Sequence, residues 1–332
     1  MTKPSSAPAL AVGAMLALLH ATPASALSKV WVANTGTDSV ACGAAASPCR
    51  TFARALGNAA GGGEIGVLTP GDYGPIEIRK SISIMNDGAG NAGLLNTDGT
   101  CPAGPMGILA SPGDVISLRG LVFEGCVAGV AGIIFETGSA LHIQNVVIKN
   151  YESGAFANTA GLSFQPSVNA QLFVSDSFIF NNGSLAGTGG ILIQPIGNGS
   201  ARVVLDRVHL ENNVVGLRLD AATSATGGSG IRVTMRDSVV AGNASDGVSA
   251  FTQAGKPFSL VFIDRTTMVN NAGNGILADG PHATVLLRDS VMTQNGAGIS
   301  TVNGGQLISY GNNANNTNIG PEGAPTGFFS PM

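Results

Sequence analysis

Val285-Leu-Leu-Arg-Asp-Ser-Val-Met-Thr-Gln-Asn-Gly-Ala-Gly-Ile299 decides the fold, because its grammar recurs along the chain. Equivalent first strands stand at Leu141-His-Ile143, Leu172-Phe-Val174, Val203-Val-Leu205, Val233-Thr-Met235 and Val261-Phe-Ile263. Ten residues after five of these six anchors comes an asparagine: Asn182, Asn213, Asn243, Asn271 and Asn295. The first repeat misses by one, with Asn150. A glycine and an aliphatic residue follow each time, at Gly161-Leu162, Gly190-Ile191, Gly216-Leu217, Gly247-Val248, Gly275-Ile276 and Gly298-Ile299. Repeats of roughly 22 to 31 residues signal a solenoid that grows by stacking. Within the quoted coil, Val285 and Leu287 point inward as alternate residues of one strand. A bend follows, then a second strand at Ser290 and Met292, a turn at Asn295 and a third strand from Gly298. Three short parallel strands per coil make a triangular β-helix. Stacked asparagines at one turn form a ladder of amides; turn chemistry likewise accounts for the glycosylation-like sequons at Asn182, Asn198, Asn243 and Asn315, with sugar attachment as the alternative.

Outward from the repeats, residues 1–26 read as a secretory signal, with Lys3, the apolar run Ala9–Leu19 and the small residues Ala24-Ser25-Ala26. The apolar run is too short to span a bilayer. A secreted or periplasmic chain follows from this reading; a retained anchor is its alternative. Charged residues make up 11% of the chain, against about 25% in typical proteins. With 16 Lys and Arg against 20 Asp and Glu, and no basic-aromatic cluster, nothing argues for nucleic acid. Cys42, Cys49, Cys101 and Cys126 are an even set, which favours disulfides in an exported chain. Cys42–Cys49 is the preferred pair and Cys101–Cys126 would tie an insertion to the next coil, though four cysteines allow other connectivities. No zinc spacing occurs. Calcium is left open, with no Asp-rich loop to hold it.

Residues 27–62 are expected to hold a strand and a helix that covers the open end of the stack. In the helix, Phe52, Ala55, Leu56 and Ala59 fall at helical spacing, with Ser47 as N-cap and Pro48 at the first position. The β-helix is expected over 63–310. Residues 86–114, rich in Gly, Asn and Pro, interrupt its rhythm, and 311–332 read as an irregular tail.

The bend after each first strand carries paired charges: Ser175-Asp176, Asp206-Arg207, Arg236-Asp237, Asp264-Arg265 and Arg288-Asp289. The sign flips at every coil. With successive coils about 4.8 Å apart, every Asp is expected to face an Arg above and below. Recurrence in coil after coil marks this as scaffold rather than a catalytic cluster.

The segment Glu64–Ile84, EIGVLTPGDYGPIEIRKSISI, with a strand, a Pro-Gly-x-Tyr turn and then a strand ending in Lys-Ser-Ile, resembles the opening coil of right-handed parallel β-helix proteins of the pectate-lyase-like superfamily. The upstream ASPCRTFARAL and the Asn/Gly coils resemble secreted bacterial members of that group. The resemblance covers nearly the whole mature chain. It implies an all-β right-handed parallel β-helix solenoid with a short N-terminal capping helix. It does not carry an activity, since the superfamily spans lyases, hydrolases, esterases, adhesins and phage tail proteins. The Arg-x-Pro-x-x-Arg stretch of the lyases is absent. Asn96-Thr97-Asp98 matches one polygalacturonase motif, but no Asp-Asp or Gly-His-Gly follows it.

Site candidates therefore come from residues that vary between coils. Four positions after the third-strand glycine, the row reads Gln165, Gln194, Asp220, Phe251 and Asp279, and is expected to face outward. Asp220 and Asp279 lie two coils apart, roughly 9–10 Å, near the upper end of the separation in inverting glycosidases. Arg218 shares the face. Gln165, Gln194, Arg218, Asp220 and Phe251 are ligand-binding candidates; Asp220, Asp279 and Arg218 are the catalytic ones. His142, His209 and His282 occupy different coil positions and do not form a metal set. The outer row of the first strand, Phe173, Val204, Thr234, Phe262 and Leu286, is an apolar stripe that could serve an oligomer or partner. The function expected is a non-catalytic scaffold that binds polysaccharide or a cell-surface glycan. The alternative is a lyase or hydrolase of acidic polysaccharide.

Overall fold

A computed structural model of the chain describes residues 26–95, 106–126, 128–153, 159–185 and 187–329. The expected signal segment, Cys101 and the Asn96-Thr97-Asp98 motif lie outside the described residues, save for residue 26. The described strands form three parallel sheets of twelve, ten and nine strands, one from each side of the coil. One complete coil runs Asn169–Ser175, Phe178–Phe180 and Gly189–Ile193, and enters the next at Ser200–Asp206.

The core is a set of stacked rows. Leu141, Leu172, Val203, Val233, Val261, Val285 and Leu307 form one inner row of the first sheet, none more than 3% exposed. Ile148, Ile179, Leu210, Val240, Met268 and Met292 line the second sheet, and Leu162, Ile191, Leu217, Val248, Ile276 and Ile299 the third. Period-two alternation puts every such side chain inside, where each buried aliphatic residue contributes about 1.5–3 kcal/mol. Ser290 belongs to the bend rather than to the second strand, which is Val291–Thr293. Its buried hydroxyl accepts the Thr266 N–H, as Ser177 does for Val146 and Ser238 for Val208.

The asparagine ladder is continuous and explains the glycines beside it. Asn182, Asn213, Asn243, Asn271 and Asn295 are each 0–1% exposed. The Asn182 amide donates to Asn213 Oδ1 at 3.0 Å, Asn271 to Asn295 at 2.8 Å and Asn295 to Asn318 at 3.0 Å. Burial of two sequon asparagines, Asn182 and Asn243, removes them as sugar acceptors. At the first repeat the ladder position is Tyr151, whose N–H donates to Asn182 Oδ1. Asn150 instead opens a neighbouring left-handed row with Asn181, Asn212, Gly242, Asn270 and Gln294, where φ lies between 54° and 66°. A Cβ at Gly247 would sit 2.7 Å from Gly275 O and 2.9 Å from Asn271 Nδ2. The glycine row therefore makes room for the amides.

The charge ladder exists, with a different wiring. Ser175, Asp206, Arg236, Asp264 and Arg288 are successive register partners. The residue after each, from Asp176 to Asp289, is left-handed with φ between 45° and 53°. Each arginine reaches the aspartate of the preceding coil: Arg207–Asp176 at 2.6 Å, Arg236–Asp206 at 3.0 Å, Arg265–Asp237 at 2.7 Å and Arg288–Asp264 at 2.7 Å. Asp206 and Asp264 take a second guanidinium from their own coil, Arg207 and Arg265. The expected contact of every Asp with an Arg above and below is not made, because guanidiniums of the same and following coils occupy the inner carboxylates. Hydrogen bonds from Arg207, Arg265 and Arg288 hold Asp176, Asp237 and Asp264 below the ordinary carboxylate range.

At the N-terminal end a helix spans Phe52–Asn58. Its N-cap is Thr51, whose hydroxyl accepts the Arg54 N–H at 3.1 Å, and not Ser47. Ser47 is instead bridged to Ala44 within the loop closed by the Cys42–Cys49 disulfide. That loop hydrogen-bonds the free edge of the strand Leu27–Val32, through Trp31 N to Gly43 O and Cys49 N to Trp31 O. Cys126 is also disulfide-bonded.

Pairing continues across the expected limits at 62/63 and 310/311. Leu27–Val32 pairs in parallel with Ala59–Val67, which runs through residues 62 and 63. Residues 86–114 supply Ala92–Leu94 and Met106–Leu109 to the second and third sheets, so the rhythm continues through them. Ala314–Asn315 and Gly327–Phe328 likewise extend the sheets into the expected tail.

Candidate functional site

The third-strand row comes together as one register line. Asp220, Phe251 and Asp279 are successive partners. Gln165 and Gln194 continue it, since Phe164, Ile193 and Leu219 pair one residue earlier. Four of its five side chains have partners. Arg218 Nη2 lies 2.9 Å from Asp220 Oδ2, and the guanidinium sits 5.0 Å from the Phe251 ring centre. Asp220 Oδ1 accepts the Ala222 N–H and fixes the start of the loop that follows. Gln165 donates to Ser163, and Asp279 accepts from Asn303. Asp220 and Gln165 are buried, at 7% and 8% exposed, while Gln194, Phe251 and Asp279 are half-buried. The phenyl ring of Phe251 stands between the two carboxylates.

A cleft of about 370 Å³ lies on the outer face of the first sheet instead. Its cause is a step in side-chain size along one outer row. Ser83, Ser117, His142 and Phe173 are successive register partners. Two serines are followed by two rings, and the rings stack in parallel with centres 4.6 Å apart and planes 7° from each other. Met85, Val115 and Phe173 give the cleft apolar walls; Arg119, Gln144 and His142 give it polar groups. Arg119 is tethered to Asp87 at 2.5 Å, while its Nε is buried and has no hydrogen-bond partner among the described residues. Burial pulls the His142 imidazole below its ordinary value, which favours the neutral ring.

Farther up the same row the apolar stripe is half-buried, with Thr234 exposed in its middle. At its C-terminal end Tyr310 packs edge-on to Phe262 and against Phe329. His209 pairs with Glu211, and His282 bonds Lys256 O. Among the described residues no group of three or more His, Cys, Asp or Glu could hold a metal ion.

A model of the right-handed β-helix region matches residues 106–314. The chain belongs to the right-handed β-helix family. Among curated proteins none matches this β-helix. Among solved structures, ORF18 of Geobacillus virus E2 is similar at 11% identity with a TM-score of 0.30, over 77% of this chain and 52% of that one. Among the described residues no helix of the β-helix protein is long and apolar enough to cross a membrane.

Reading along the sequence finds Phe173 in the outer stripe but not the cleft beside it. The signal that would find it is vertical: small Ser83 and Ser117 below bulky His142 and Phe173, once coils are aligned at their anchors.

Proposed function

We propose that this β-helix is an exported scaffold that binds a glycan without turning it over. The observation that carries the reading is the first-sheet cleft, where an aromatic pair, apolar walls and the polar side chains of Arg119 and Gln144 meet. Pockets that bind small ligands combine apolar and aromatic walls with a few polar groups that fix orientation. A sugar ring offers a C–H face to such a wall and hydroxyls to such groups. The bonded state of Asp220 and Asp279, with a phenyl ring between them, supports binding over hydrolysis. The Cys42–Cys49 disulfide supports export to an oxidising compartment. The helix Phe52–Asn58 and the disulfide loop act as the cap of the N-terminal end: Phe52 is fully buried and packs 4.9 Å from Tyr73.

The discriminating experiment is a turnover assay on polygalacturonate and neutral polysaccharides, with and without calcium, run beside a binding assay. Binding without new reducing ends or unsaturated uronate is the expected result. Turnover would favour the lyase or hydrolase reading and place its chemistry near Asp220.

A further inference from the structure

The first sheet pairs its arginines with carboxylates, and breaks that habit at one place. Arg119 has Asp87, Arg236 has Asp206 and Arg288 has Asp264. Arg202 and Arg232 face each other as direct register partners on adjacent coils. Both are exposed, and among the described residues neither has a carboxylate within ion-pairing distance. Like charges directly opposite in a sheet are destabilising. Arg232 is held in place, stacked over Phe258 at 4.3 Å and donating to Ser229 O.

Beside Arg202 lies a second cleft, of about 200 Å³, walled by Ser139, Asn169, Gln171, Ser200 and Ser229. Apart from Arg202 and Ala170 its side chains are hydroxyls and amides, and among the described residues no acidic one lines it. Asn169 and Ser200 are bonded to each other at 2.7 Å, which orders that wall. Guanidinium beside hydroxyl and amide donors is the chemistry that binds an oxyanion, and arginine forks match carboxylate and sulfate geometry in particular.

We propose that Arg202, with Arg232 beside it and the polar cleft in front, forms a binding site for an oxyanion, a sulfate or carboxylate group. An anion there removes the repulsion that the ladder elsewhere avoids. The site shares no residue with the cleft at His142 and does not depend on the glycan reading.

Isothermal titration with sodium sulfate at constant ionic strength tests it on the full chain, in wild type and in Arg202→Gln and Arg232→Gln. The substituted side chains are exposed, so both variants should fold, and removal of the repulsion should leave the melting temperature equal or higher. Wild type should bind sulfate, with affinity lower by about tenfold or more in Arg202→Gln, as expected when a charge-assisted bond is lost. Dextran sulfate and polygalacturonate, added as competitors, separate a polymer-borne group from a free anion; the arginine dependence carries the proposal in either case. Absence of sulfate binding to wild type, or equal affinity in all three proteins, would overturn it. Glycan binding that a His142 variant retains in full, with sulfate binding intact, would count against the glycan reading alone.

Discussion

Asn271 Oδ1 accepts two hydrogen bonds from Asn243, one from its side-chain amide at 2.7 Å and one from its main-chain N–H at 3.2 Å. Asn243 in turn accepts the Asn213 N–H at 2.9 Å and donates to Leu210 O at 3.1 Å. One buried carboxamide thus joins three coils, and its polar atoms are satisfied where water cannot reach.

Replacing Asn243 with Leu leaves buried partners on both sides unsatisfied. Each orphan of that kind costs about 1–3 kcal/mol. Loss of about 2–4 kcal/mol in denaturant unfolding is expected. Asn198→Leu, at an exposed sequon outside the ladder, is expected to change stability by under about 0.5 kcal/mol.

Gly247→Ala tests the coupling between the glycine row and the ladder. The new methyl meets a backbone carbonyl and a ladder amide, neither of which is free to move. Overpacking of this sort costs about 1–3 kcal/mol. Gly57→Ala, with open space around the Cβ position, serves as the control in the same unfolding assay.

The double exchange Arg236→Asp with Asp237→Arg sets like charges against Asp206 and Asp264 on one row, and against Arg207 and Arg265 on the other. A lower melting temperature is expected, and the difference from wild type should shrink as salt screens the charges. An unchanged melt would contradict the ladder.

The rows of this ladder were legible because each is a single residue type or sign at a fixed offset from an anchor. Its wiring was not, since the choice of the preceding coil's aspartate depends on where each guanidinium lies in space. Composition concealed the coil within 86–114, whose Gly and Pro read as interruption, and hid Ala314–Asn315 and Gly327–Phe328 in the tail. The cleft at His142 depends on relative side-chain size across coils, which a reading along the strand does not register. The row from Gln165 to Asp279 was legible as a line; the packing that covers Asp220 was not.

Acid should destabilise the chain in a defined direction. Hydrogen bonds from arginines lower Asp176, Asp237 and Asp264, and a hydrogen bond from Ser81 lowers Asp114, all from an ordinary 3.8. The unfolded chain therefore binds more protons in the window below about pH 4. This stability is fully present above that window and is lost as pH falls through the lowered folded values. Thermal melts from pH 6 to pH 2 should show the fall concentrated at the acid end. Arg207→Gln should reduce the part due to Asp176.

Glycan-array binding of wild type and His142→Ala, with unsaturated uronate followed in parallel, tests the central claim most directly. Binding by wild type that His142→Ala loses, with no turnover by either, is the predicted result. Turnover by wild type, or glycan binding that His142→Ala retains in full, would contradict it.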